Sequence, residues 1–382
     1  MCNNQWPKRL YALDVSRGIA SLGVVLWHWQ HFAYKGNSLS EQFIIENQPL
    51  YDLLRIFYKN GAMGVQYFFL LSGFIFFWLY KDTVKKRQVS TWAFCIQRFA
   101  RLYPLHLITL IVVACLQCLY KSREGIAFVY PANDVFHFFL NLGLVSAWGF
   151  ERGWSFNAPI WAVSIEALLY LVFFMVAYFG KGGWLFCLAV PVFSCLLGFA
   201  ISHPLFVALA MFFLGGLVFY LTNAVSGKYK QLAKLFYFMT FISWFSVFIN
   251  CYLIDLSKMI RCAGLLGGIF LTGFPLFILF PLTVLSLALI EIKKGSLLKP
   301  LSWIGDITYA SYLLHFPLQL IFGLMVSFNI LEPDFYLSSK YLLIYFLTLI
   351  PIAYVTFLKF ERPMQNIIRN TFICSEKPEF RL

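Results

Sequence analysis

Asp14, Arg17 and His28 lie in one apolar run, about residues 10–32. Ionisable groups are costly inside such a run, so each calls for a function or a partner. At about 100° per residue on a helix, Arg17 stands about 60° and His28 about 40° from Asp14. Ser21 falls between them. The helical rise puts His28 about 21 Å beyond Asp14, too far for direct contact. Asp14 and Arg17 therefore form one polar layer and His28 belongs to another. Either the first two are a structural ion pair and His28 an interfacial residue, or the face carries chemistry, with the imidazole as proton acceptor. Glu166 sits about nine residues into a later run and needs a partner to stay charged. His28 and His315 are candidates. His315 shares a helical face with Thr308, Tyr312 and Gln319, either as a functional stripe or as helix–helix hydrogen bonding. Arg98 and Arg101, one turn apart, suit bidentate phosphate capture, or they mark the cytoplasmic end of a span.

These residues are expected to stand on membrane helices. Of 382 residues 60% are hydrophobic and 12% charged, with 44 Phe and 21 Tyr. A soluble domain of this size has no place to hide so much apolar surface, which comes in long runs. The runs fall at about 10–32, 62–80, 97–120, 157–180, 183–200, 205–222, 235–254, 262–290, 303–328 and 341–358, with a short eleventh at 136–150. Basic stretches around Lys81–Arg101, Lys228–Lys234 and Lys293–Lys299 mark cytoplasmic loops. Parity between the first two admits four of the five intervening runs, so 136–150 is expected to be interfacial or re-entrant. Gly273 and Pro275 should kink the long run 262–290 without splitting it. The fold class predicted is an all-α polytopic membrane protein of about ten transmembrane helices with both termini cytoplasmic. Cytoplasmic segments then carry a net +15 and outer segments zero, within a total of +13.

The same arithmetic removes other classes. The basic charge lies in short inter-helix loops, so nucleic-acid binding is not expected. Nine Cys are scattered, and the Cys115/Cys118 pair has no second ligand pair nearby, so no metal site is expected. His31, His106, His137 and His203 stand at span ends and read as structural. The first run lacks a cleavage site, and no appended soluble domain is expected over 1–382.

Several segments carry a family likeness. Leu13-Asp14-Val15-Ser16-Arg17-Gly18-Ile19-Ala20 followed by His28 resembles the first-span signature of the acyltransferase 3 family of membrane O-acyltransferases. Phe68 to Phe74, Arg98-Phe99-Ala100-Arg101-Leu102-Tyr103-Pro104, Pro159 to Glu166, Tyr309 to Pro317 and Glu361-Arg362-Pro363 are similar to its later motifs, in order.

The resemblance implies an enzyme of the inner, cytoplasmic membrane. It would move an acyl group, often acetyl, from cytosolic acyl-CoA to a hydroxyl of a carbohydrate or glycolipid, with no permanently bound cofactor. It implies His28 as base with Glu166 as its orienting carboxylate. Arg98 and Arg101, with Arg17 behind them, would hold the CoA phosphates, and Asp14, Tyr309 and His315 would support. An extended pantetheine arm would then bridge the two polar layers. A transporter or flippase of a sugar or lipid-linked intermediate is the rival class, since ten spans with buried charges fit it too. No inverted repeat of broken spans is visible in the sequence.

Overall fold

The computed structural model describes residues 6–254 and 264–373. It is helical almost throughout. The helices are α1 (Tyr11–Trp27), α2 (Tyr51–Asn60), α3 (Gly64–Leu79), α4 (Lys81–Lys85), α5 (Thr91–Glu124), α6 (Val135–Leu142), α7 (Trp161–Tyr178), α8 (Trp184–Ile201), α9 (Pro204–Gly227), α10 (Ala233–Phe248), α11 (Gly264–Phe274), α12 (Phe280–Lys294), α13 (Ser302–Asp306), α14 (Thr308–Ser327), α15 (Ser339–Thr356) and α16 (Arg362–Phe372). A two-stranded hairpin pairs Tyr34 with Leu39 and Lys35 with Ser38.

Eight helical segments among the described residues are long and apolar enough to cross a membrane. The protein is an all-α polytopic membrane protein. The other two expected spans fall on α1, of 17 residues, and on α8, whose apolar stretch is Trp184–Gly198. The run 136–150 yields only the eight-residue α6, far short of the roughly 20 residues a span needs. Asp134 caps it, accepting from the His137 backbone N–H at 2.9 Å; that bond and the His137 ring hold its carboxyl below the ordinary value. Pro275 opens a π-helical segment, Pro275–Leu279, between α11 and α12, at the position where a kink is expected. Residues 262 and 263 of that run lie outside the described residues.

The chain divides into two compact units. The first takes residues up to Ala20, Ala62–Gln88 and Val172–Gly305. There α3 and α9 approach to backbone contact because Gly73 faces the Phe212 carbonyl and Gly215 faces that of Leu70; any Cβ would collide. Phe76, Phe77, Phe173, Phe212 and Phe213 interlock edge to face around this crossing.

The second unit takes Ser21–Gly61, Val89–Leu171 and residues from Asp306 on. Its core joins Trp29, Tyr58, Phe322, Phe335 and Tyr345 in one cluster and Leu110, Val113, Phe128, Phe316 and Leu320 in another. Its backbone is α5, whose 34 residues exceed the need of a single span. Ser90 caps α5 at its start, accepting from Ala93 N–H at 3.1 Å, and Gly125 ends it at φ +75°, a left-handed value suited to glycine.

Candidate active site

In the second unit α1 gives way at Trp27 to a 3₁₀ turn, His28–Ala33. In such a turn residues i and i+3 eclipse, so His28 and His31 fall on one line. Their rings lie 4.6 Å apart, 30° from parallel. The α-helical arithmetic applied to His28 therefore stops at Trp27, and His31 joins the site rather than standing aside from it.

The turn packs on α14, where Pro317 has no N–H to give the Leu313 carbonyl. Asn157 Nδ2 supplies that bond at 3.0 Å, and the Tyr312 hydroxyl donates to the Pro159 carbonyl at 2.8 Å. The Tyr345 hydroxyl donates to the His315 carbonyl at 2.8 Å. The polar stripe of α14 thus looks inward, and His315 and Gln319 are fully buried.

The hydrogen bonds around His315 determine which nitrogens carry protons. His315 Nδ1 lies 2.5 Å from the Tyr312 carbonyl oxygen, which only accepts, so Nδ1 is the donor. In the neutral ring His315 Nε2 is then an acceptor, and His28 Nδ1, 2.9 Å away, donates to it. The lone pair of His28 falls on Nε2. Among the described residues no hydrogen bond engages that nitrogen, and His28 keeps 8% exposure.

A second chain runs in parallel. Gln319 Nε2 donates to the His28 carbonyl at 2.8 Å, so Gln319 Oε1 accepts from His31 Nδ1 at 3.0 Å. His31 Nε2 is left to accept from the Tyr130 hydroxyl at 3.2 Å. Burial pushes the Tyr130 phenol well above its usual range, so it stays a donor. Among the described residues no group of three His, Cys, Asp or Glu is arranged to hold a metal ion.

Glu166 has a different neighbour from the one expected. It accepts a short hydrogen bond from the Tyr170 hydroxyl. The partner bonded to His28 is the His315 imidazole, and among the described residues no carboxylate is hydrogen-bonded to His28. Glu166 belongs with the arginines. The Arg98 guanidinium is buried and lies 5.7 Å from the Tyr170 ring centroid and 5.8 Å from that of Phe94. Arg98 and Arg101 both act electrostatically on Tyr170, and Arg101 also on Glu361 and Tyr309. The Tyr309 hydroxyl donates a short bond to the Leu102 carbonyl, tying α14 to α5. Two guanidiniums and two carboxylates thus share one tyrosine-lined layer.

Asp14 and Arg17 lie in the first unit. Asp14 is gripped by Arg9 at 2.6 Å and by Arg17 at 3.2 Å, and Arg17 also donates to the Gly305 carbonyl at 3.1 Å. Gly305 packs its Cα against the Asp14 backbone, where a side chain has no room. Glu291, fully buried on α12, accepts the Ala12 backbone N–H at 2.6 Å and so caps α1 from a distance. The expected Asp14–Arg17 pair is present, held by partners the first span does not contain.

The acyltransferase domain family matches residues 10–360. The chain belongs to the acyltransferase 3 family. Among curated relatives, "Acyltransferase MdmB" of Streptomyces mycarofaciens is 33% identical over 168 residues, 43% of this chain and 38% of that protein. "Protein 2 in picA locus" of Rhizobium radiobacter is 27% identical over 167 residues, 44% of this chain and 73% of that protein. The chain thus aligns with well under half the length of the first and about three quarters of the second. No solved structure matches.

Within this family frame the structure gathers the residues singled out by sequence into three groups. His28 joins His315, Arg98 and Arg101 join Glu166 and Tyr309, and Asp14 joins Arg17. Beside them stand His31, Tyr130 and Tyr170, which the sequence does not single out as candidates, and Gln319, legible there only as part of a stripe. The i, i+3 spacing of His28 and His31 was a usable signal, hidden by assuming that α1 continued.

Proposed function

We propose that the protein is a membrane-bound O-acyltransferase of the cytoplasmic membrane. It moves an acyl group, acetyl foremost, from cytosolic acyl-CoA to a hydroxyl of a carbohydrate or glycolipid destined for surface or exported polysaccharide. The observation that carries this reading is the unengaged His28 Nε2, given its lone pair by the His315 bond. A general base must present such a nitrogen to the acceptor.

In the reaction the acceptor oxygen attacks the thioester carbonyl while its proton passes to His28 Nε2. The new C–O bond forms, the tetrahedral centre collapses, the C–S bond breaks, and the thiolate leaves with the proton from His28. The transient imidazolium stays hydrogen-bonded through Nδ1 to His315, whose own Nδ1–H is anchored on the Tyr312 carbonyl. A base oriented by a third group is the recurring arrangement for activating a nucleophile. Arg98 and Arg101 are assigned to the CoA phosphates, with Glu166 holding Tyr170 near the guanidiniums. Family membership and a relative named as an acyltransferase support the reaction class. The positive-inside charge pattern supports a cytosolic donor.

Two measurements test this reading together. Cells with and without the gene are compared for O-acyl groups on surface polysaccharide, and purified protein in detergent is assayed for thiol release from acetyl-CoA and longer acyl-CoAs. Loss of O-acyl groups with the gene, and thiol release, are expected. Unchanged acyl content with no thiol release from any donor would return the protein to the transport class.

A further inference from the structure

Gln319 is fully buried, and each end of its amide is committed to a different residue of the His28–Ala33 turn. The NH₂ end holds the His28 backbone carbonyl, an oxygen at the point where α1 changes to the tighter turn. The carbonyl end holds His31 Nδ1. Swapping the amide's ends would set its oxygen against the His28 carbonyl oxygen, two acceptors with no hydrogen between them. The arrangement is therefore one-way, and it dictates a proton position on His31 two bonds from the group that dictates it.

We infer that Gln319 is a positioning residue. It clamps the turn that carries His28 and fixes His31 with its hydrogen on Nδ1, so that His31 Nε2 can only accept from Tyr130. This rests on the reading of His28 as base, and it adds a residue acting through His28 rather than on substrate. The physical need is plain. Two imidazoles 4.6 Å apart compete for the same partners. A His31 ring free to exchange tautomers, or to turn over, would offer His28 a second set of bonds and blur the direction of Nε2. With Gln319 in place His31 has both nitrogens occupied, and the His28 main chain is tied to α14, which also carries His315. Base and orienting imidazole are thereby referred to one helix.

The test reads protons directly and does not depend on turnover. Protein labelled with ¹⁵N in histidine is purified in detergent, and imidazole nitrogen spectra are recorded for wild type, Gln319→Leu and Gln319→Glu. His31→Asn and His28→Gln assign the signals among the six histidines. Wild type should show His31 protonated on Nδ1. Gln319→Leu removes the acceptor, so that hydrogen should move to Nε2, and the His28 signals should shift as its turn loosens. Gln319→Glu keeps an oxygen facing Nδ1, so the Nδ1 hydrogen should remain. Monodispersity and thermal transition in detergent identify folded variants, and Gln319→Glu carries the test if Gln319→Leu fails to fold.

Turnover from acetyl-CoA per folded molecule should fall about 10- to 100-fold in Gln319→Leu, with the donor concentration for half-saturation unchanged. A wild-type His31 carrying its hydrogen on Nε2 overturns the inference, as does folded Gln319→Leu with full turnover. Wild type with no thiol release from any acyl-CoA would defeat the acyltransferase reading instead, while the spectra would still decide whether the clamp exists.

Discussion

His28 Nδ1 and His315 Nε2 lie 2.9 Å apart with ring planes 7° from parallel. An imidazole therefore occupies the place where a carboxylate was expected. It accepts the His28 hydrogen without bringing a charge into a buried site, where an ion costs far more than in water. Removing the acceptor should release His28 to rotate. His315→Leu should lose about 10- to 100-fold in turnover with donor half-saturation unchanged. His315→Gln, which sets an oxygen near the former Nε2, should retain more. Equal losses in folded protein would deny His315 an orienting role.

Arg101 and Glu361 form the second relationship to probe. Glu361 is buried and Arg101 is the cation acting on it. Arg101 is half-buried, and deleting it leaves the buried Glu361 carboxyl without that cation. Arg101→Ala should therefore lower thermal stability, and adding Glu361→Gln should recover much of the loss. Donor affinity should stay weak in both, because the proposed charge-assisted bond to a CoA phosphate, worth about 1.5–3 kcal/mol, is gone. Recovery of acyl-CoA affinity along with stability would make Arg101 a structural cation only.

Glu291 offers a test in the first unit. It caps α1 through the Ala12 N–H at 2.6 Å, so Glu291→Ala should destabilise the protein by about 0.5–2 kcal/mol. Glu291→Gln keeps an acceptor and should cost less. Thermal unfolding in detergent reads both, and an unchanged transition in Glu291→Ala would remove the cap from the account.

These relationships were not equally legible in the sequence. Apolar run lengths place the helices well, because a span must satisfy its own backbone and be long enough to cross. The failure of 136–150 as a span followed from charge parity, and α6 is accordingly short. Asp14 with Arg17 was readable because both lie on one helix turn. The hydrogen-bond partner of Glu166 is not legible in the sequence. Periodicity places residues on faces of one helix, whereas the approach of Tyr170 to Glu166 and of His315 to His28 depends on which helices pack together. The 3₁₀ turn at His28 is not legible either, because the group that bonds the carbonyl where it begins, Gln319, comes from a helix far along the chain.

Topology can be checked independently of chemistry. We propose that the loops near Lys85, Lys230 and Lys294 face the cytoplasm and that Arg152 faces outward, from the +15 against zero charge division. Single cysteines at these positions, in a background with the native ones replaced, should react with impermeant reagents from opposite sides. Labelling of position 152 only from the cytoplasm would reverse the outer assignment of the α6 region.

In the proposed reaction His28 Nε2 takes the acceptor's proton. Acyl transfer by purified His28→Gln measures this most directly, since glutamine keeps bulk and hydrogen bonding but offers no comparable base. Turnover should fall about 10²- to 10⁴-fold, with acyl-CoA binding intact and the variant as well folded as wild type. Near-normal transfer by folded His28→Gln would contradict it.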